Sequence, residues 1–350
     1  MSHIYIYAPS SAVVDKAAFK RGIKRLQSLG HEVEIDPAAL TRDTRFAGDD
    51  ATRVAAIHRA AASGADVAMT ARGGYGLSRI LADINYKAVA KSIHPSRGKG
   101  THFVGFSDFT AFQCALLAKT GAISWSGPSV GADFGAVVEA DGSPDCIMEA
   151  CFDDLLLGHG EGAGWRMPIE RRVERPDKSS NAVKNATNNI AKQAINTPAK
   201  VELGTETAST INFTINNGLL WGGNLSLIAS LVGTPYMPTA AMAANKRGIL
   251  FLEDVAEHPY RIERYLTQLL HAGILAKQKA IVLGQFTHFK LDPADKGYKL
   301  QSVVDWLRSV VKCPVLTGLP MGHVPTKVLL PVGETVTLAV EGRDALLVWG

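Results

Sequence analysis

Three times in the first 130 residues an apolar run stops at a turn of small residues, and a new pattern takes over. "HIYIYAP" ends at Pro9-Ser10-Ser11, "ADVAMTA" runs into Arg72-Gly73-Gly74-Tyr75-Gly76, and "THFVGF" meets Ser107-Asp108. Segments with helical periodicity lie between them. "DKAAFKRGIKRLQSLG" stops at Gly30, and "DDATRVAAIHRAAASG" opens at Asp49 or Asp50 and closes at Gly64. "HEVEID" reads as a further strand, "LSRILADI" as a short helix, and a helix from about Phe109 follows the third turn. This β-α-β-α-β order predicts a parallel sheet with helices on both faces. Ligand sites in such sheets lie beyond the carboxyl ends of the strands, where all three turns fall.

The second half is richer in strands. "GLLWGGNLSLIASLVGTP" holds a strand, a glycine pair and a helix, and "KRGILFLED" is a strand ending in two acids. "PYRIERYLTQLLHAGIL" is an amphipathic helix, "QKAIVLGQF" a strand, and the last forty residues read as strands and hairpins. The domains are therefore expected as an α/β unit over 1–165 and a second unit over 208–350. The polar stretch from about 166 to 207 is expected to be a linker with an exposed insertion; an ordinary surface helix is the other reading.

A chain of 350 residues, 46% hydrophobic and 20% charged, has room for two such cores. Its net charge of +4 is carried by scattered basic residues with no Lys/Arg block interleaved with aromatics, which disfavours nucleic acid as a partner. Cys114, Cys146, Cys151 and Cys313 form no C-x-x-C pair and no Cys/His cluster with zinc spacing, so no metal site is expected. Cys114 lies in an apolar helical pattern and reads as a small buried hydrophobe. "MSHIYIYAPSS" lacks the pattern of a signal peptide, and no run of 18 apolar residues marks a membrane span. The expectation is a cytoplasmic protein with reduced thiols and no membrane partner.

Candidate chemistry sits on the turns. Ser107 admits two readings: the helix cap that Ser-Asp before "FTAFQCALL" would make, or a nucleophile on a strand-to-helix turn with the next N–H facing an oxyanion. Gly105 permits the tight turn, although Phe109 stands where G-x-S-x-G has its second glycine. "ARGGYG" offers backbone N–H groups to an anion or is a plain turn, and Arg72 is a partner for a carboxylate or a solvated side chain. Glu253 ends an apolar strand, with Asp254 and Glu257 close behind; such acids also occur simply at helix starts. His323, in "GLPMGHVPTK", lies on a constrained loop suited to a general base, with His258 and His288 as rivals. Trp221, before Gly222-Gly223-Asn224, either floors a pocket or packs in the core.

The joint order of "APSS", "RGGYG", "GFSD", "SGP", "WGGNLSLIASLVGTP", "LFLEDVAEHPYRIER" and "GLPMGH" resembles the LD-carboxypeptidase family of serine peptidases. That family includes the murein-tetrapeptide carboxypeptidases and the microcin-immunity peptidases. The resemblance runs from about residue 4 to 340, and the stretch around 175–200 has no counterpart in it. It implies a Rossmann-like N-terminal domain, a smaller β-rich C-terminal domain and an active site at their junction. It also implies a Ser107-His323-Glu253 triad and an oxyanion hole from the N–H groups of Asp108 and Gly74. Trp221 would be a substrate-pocket residue, no cofactor would be needed, and the protein would be a homodimer.

Within the family, "FLEDVAEHPYRIER" looks more like the murein branch. The expected reaction is cleavage of an L,D-peptide bond in a cytoplasmic muropeptide, tetrapeptide to tripeptide plus D-Ala, in cell-wall recycling. Arg72 would receive the terminal carboxylate. The alternatives are a microcin-immunity-type peptidase acting on aminoacyl- or peptidyl-nucleotide amides, and a non-catalytic α/β anion-binding protein.

Overall fold

A computed structural model describes residues 1–94, 100–159, 162–169, 212–238 and 247–349. The expected linker and insertion lie outside the described residues from 170 onward. Strands β1 (His3–Tyr7), β2 (Glu32–Ile35), β3 (Val67–Thr70), β4 (His102–Gly105) and β5 (Ser124–Ser126) form a parallel sheet in the order β5-β4-β3-β1-β2. Helices α1 (Lys16–Ser28), α2 (Asp50–Ala62), α3 (Tyr86–Ile93) and α4 (Phe109–Thr120) lie in the crossovers.

Side-chain alternation gives this sheet two buried faces. Ile4, Ile6, Val67, Met69 and Val104 pack with Phe19 and Leu26 of α1 and with Phe152 of helix α5 (Cys146–Leu157). Tyr5, Tyr7, Ala68 and Phe103 pack on the other face with Ala56, Val89 and Phe112 of α2, α3 and α4. The sheet is thus covered on both sides, as the strand-helix alternation predicts. "LSRILADI" differs from expectation: it makes two 3-10 turns, Leu77–Arg79 and Leu81–Asp83, because Ile80 leaves helical geometry at φ −111°.

The second sheet holds β6 (Gly162–Arg166), β7 (Asn212–Asn224), β8 (Gly248–Val255), β9 (Gln278–Thr287) and β10 (Val315–Leu316). It is completed by the hairpin β12 (Thr335–Glu341) and β13 (Asp344–Val348), in the order β10-β9-β8-β7-β12-β13-β6. The β10-β9-β8-β7 part is parallel and the rest antiparallel. Helix α6 (Leu225–Ser230) follows β7, its N-terminus capped by the Asn224 side chain. The chain crosses between the sheets more than once. β6 belongs to the second sheet, and β11 (Leu330–Val332) pairs antiparallel with β5 of the first.

One helix is shared. Every residue of α4 from Phe109 to Leu117 is buried, and its core is continuous with that of the second sheet. A helix apolar all round must be covered all round. Its first turn meets β7 closely: the Asn224 N–H donates to Thr110 Oγ1 at 3.0 Å. A Cβ on Gly223 would lie 2.4 Å from that oxygen, and Gly223 sits at φ +129°, where side chains are disfavoured. Gly223→Ala is therefore expected to destabilise the fold by about 2–4 kcal/mol through overpacking and backbone strain. Denaturant unfolding measures this; a loss below about 0.5 kcal/mol would show that β7 is not seated on α4.

Candidate active site

Ser107 has φ +64°, left-handed backbone that serine rarely adopts. Holding it there costs about 1–3 kcal/mol, which the surroundings must offset. Gly105 lets the turn form, since a Cβ there would meet Thr70 Oγ1 at 2.7 Å and the Phe109 ring at 2.9 Å. The helix is then entered through i→i+3 bonds, Thr110 N–H to the Ser107 carbonyl at 3.0 Å and Ala111 N–H to the Asp108 carbonyl at 3.1 Å. The cap position of α4 is Asp108, which makes no side-chain capping bond. Ser107 is thus not the helix cap; its Oγ faces an imidazole instead.

That imidazole is His323. Its Nε2 lies 3.1 Å from Ser107 Oγ, and its Nδ1 lies 2.9 Å from Glu253 Oε2. An ionised carboxylate only accepts, so Nδ1 carries the proton and Nε2 is left to accept from the serine hydroxyl. Glu253 is 1% exposed, at the carboxyl end of β8. Its other oxygen accepts from Asn224 Nδ2 at 3.2 Å. Gly322, at φ +139°, lets the histidine loop lie against β8 and β9; a Cβ there would be 2.9 Å from the Gln285 carbonyl. Phe106 packs on the imidazole with ring centroids 5.0 Å apart.

The three turns predicted at the sheet edge are tied to one another by two hydrogen bonds. Ser11 Oγ donates to the Tyr75 carbonyl at 3.1 Å, and the Asp108 carboxylate accepts from the Leu77 N–H at 2.8 Å. Burial nevertheless raises its pKa. Gly73 abuts the serine, a Cβ there lying 2.9 Å from Ser107 Cβ, while Gly74, at φ +96°, packs against Ser11. Arg72 is half-buried, with Nη1 donating to the Ala12 carbonyl at 3.1 Å. A hydroxyl, an imidazole and a buried carboxylate joined in one file can move a proton off the hydroxyl, beside a helix start and a glycine turn that can hold negative charge.

The chain matches the LD-carboxypeptidase N-terminal domain over residues 4–127 and the LD-carboxypeptidase C-terminal domain over residues 217–338. It belongs to the LD-carboxypeptidase family. Among relatives, the probable murein peptide carboxypeptidase of Bacillus subtilis is 26% identical over 98% of this chain and 90% of its own length. The muramoyltetrapeptide carboxypeptidase of Oxalobacter formigenes superposes over 100% of this chain and 99% of its own, with TM-score 0.76 and 35% identity. A microcin C7 self immunity protein in complex with glutamyl sulfamoyl guanosine shares the fold, with TM-score 0.72 at 21% identity over 100% of this chain and 96% of its own.

Membership in this family of serine-type peptidases leaves some expectations in need of correction. Trp221 is fully buried, and its Nε1 donates to Gln278 Oε1 at 3.0 Å. Its indole abuts Gly248, at the opposite end of β8 from Glu253, so it packs in the core and floors no pocket. Two of the rivals of Glu253 and His323 are engaged elsewhere: Glu257 pairs with Arg261, and His258 caps the helix Pro259–His271 and contacts Asp295 at 2.9 Å. Among the described residues no group of three or more His, Cys, Asp and Glu is arranged to hold a metal, and no helix is long and apolar enough to cross a membrane.

Sequence reasoning named Asn224 and Asp254 but gave neither a role. Asn224 Nδ2 bonds Glu253 and, at 2.9 Å, Asp254 Oδ1; its own Oδ1 accepts from Ser226 Oγ and the Leu227 N–H. The only signal for it was its place at the end of "WGGN", one residue past the glycine pair. Asp254 also accepts from the Ser226 and Val255 N–H groups, yet burial, aided by the neighbouring Glu253 charge, raises its pKa to about 6. Between about pH 4 and pH 6 the folded chain therefore keeps a proton that the unfolded chain has released, and stability falls as pH rises through this window. The loss is up to about 3 kcal/mol, from a rise of about two pH units. Asp254→Asn should remove this slope. Urea unfolding at pH 4 and pH 7 should show the wild type losing more stability than the variant, and equal losses would contradict the buried, charged pair.

Proposed function

We propose that this chain is a serine carboxypeptidase that cleaves an L,D-peptide bond in muropeptides, releasing D-Ala from a murein tetrapeptide. The observation that carries the reading is the file Ser107 Oγ–His323 Nε2–Glu253, at 3.1 and 2.9 Å, assembled from residues up to 216 positions apart. Relatives named for murein peptides, and the structural match at 35% identity over the whole chain, support the substrate class.

In this reading Ser107 attacks the scissile carbonyl while His323 takes its proton. Glu253 holds the imidazole in the right tautomer and stabilises the imidazolium. The N–H of Asp108, at the start of α4, and that of Gly74 stabilise the tetrahedral oxyanion. His323 then protonates the departing amine of D-Ala, and water, activated by the same imidazole, releases the tripeptide from Ser107. Arg72 receives the terminal carboxylate through the part of its guanidinium not held by Ala12. The positive φ of Ser107 supports the nucleophile role, because strain of this kind is kept where surroundings enforce it for function. Free cysteines at all four positions fit the cytoplasmic setting in which such muropeptides would be met, and we expect a homodimer there.

Ser107→Ala is expected to lower D-Ala release from a murein tetrapeptide at least about 10³-fold with the thermal transition retained. Mass spectrometry of the products, with an aminoacyl-nucleotide amide as a parallel substrate, checks both points. Wild-type turnover by the variant would sink the triad, and turnover of the nucleotide amide alone would move the chain to the microcin-immunity type.

A further inference from the structure

Lys327 follows His323 by four residues, yet it is only 1% exposed. Its ammonium pairs with Asp133, 4% exposed, on the π turn Val130–Phe134 beside the first sheet. The second Asp133 oxygen accepts from the Ser129 N–H at 2.7 Å and from Ser129 Oγ at 3.1 Å, which fixes the carboxylate. The same ammonium lies 4.0 Å from the centroid of Phe106, the residue before Ser107, and the Phe106 ring packs on His323. One buried cation therefore touches the two sides of the Ser107–His323 contact: the loop of one and the strand end of the other.

The loop itself spans both halves of the molecule. The Val328 N–H closes it on the Pro320 carbonyl at 2.8 Å, and the Gln285 N–H holds Met321 to the second sheet at 2.8 Å. On the far side Thr326 Oγ1 donates to Asp145 Oδ2 at 2.5 Å, and the chain then enters β11 of the first sheet. Stability alone does not account for Lys327 and Asp133, because apolar residues of similar volume usually serve a buried site as well as an ion pair does. What an apolar pair lacks is a fixed meeting point for two charges.

We propose that Lys327 and Asp133 are positioning residues that set the place of His323 relative to Ser107. The pair anchors the histidine loop to the first sheet, and the cation on the Phe106 face holds the ring that backs the imidazole. Misplacing a proton-transfer group by about 1 Å is enough to cost about 10²-fold in rate.

The inference rests on the triad reading, and the test separates the two. The variants are Lys327→Met with Asp133→Leu, which replaces both charges together, and Asp133→Glu, which keeps the pair but shifts its anchor by one methylene. Both are assayed for D-Ala release beside Ser107→Ala. The double variant is expected to keep a cooperative thermal transition and to lose about 10–100-fold in kcat with KM within about threefold. Asp133→Glu should show a smaller loss of the same kind. A folded variant of either type with wild-type kcat overturns the proposal, as does a loss that merely tracks the unfolded fraction. If the double variant does not fold, Asp133→Glu decides alone. Activity in Ser107→Ala would instead strike down the triad, whatever the ion-pair variants do.

Discussion

The seating of β7 on the first turn of α4 governs the position of everything around the site. Gly223 gives the approach, and the Asn224 N–H bonds Thr110 Oγ1 one helical turn from Ser107. Asn224 then reaches Glu253, which holds His323, which returns to Ser107. The circuit closes through both sheets. Neither sheet carries the three groups alone: Ser107 follows β4 of the first, and Glu253 lies on β8 of the second.

Around that contact the molecule accepts several costs. Ser107 is held in left-handed backbone, Asp108 and Asp254 are buried with raised pKa values, and Lys327 is desolvated against Asp133. Holding Ser107 in that backbone alone costs about 1–3 kcal/mol, a sizeable share of a typical net stability. These groups lie within a few residues of Ser107, Glu253 or His323, and buried polar groups also occur elsewhere in the sheets, among them Asp36 with Arg59 and the Tyr7 hydroxyl.

Much of this was legible in the chain. The parallel first sheet was readable because apolar runs ending in Pro9-Ser10-Ser11, in Arg72-Gly73-Gly74 and at Ser107 alternate with capped helical segments. Ser107, Glu253 and His323 stood out as candidates because each has a reactive side chain at the end of an apolar run or on a constrained loop, but each also had another local reading, and only the resemblance to the LD-carboxypeptidase family joined them. Trp221 was ambiguous for a physical reason: a Trp before two glycines looks the same whether its ring faces core or cleft, and only the register of β7 against β8 settles it. Lys327 and Asp133 left no local trace. They are 194 positions apart, and a lysine in "VPTKVLL" reads as a solvated side chain. Asn224 and Asp254 were hidden behind their neighbours, the glycine pair and Glu253.

The central claim is that Ser107, positioned by both sheets, is the group that His323 activates. Reaction of the intact protein with a fluorophosphonate, followed by peptide mapping in the mass spectrometer, addresses it directly. One adduct per chain on Ser107, strongly slowed by His323→Ala, is the expected result. An unmodified Ser107, or modification at the same rate without His323, would contradict it.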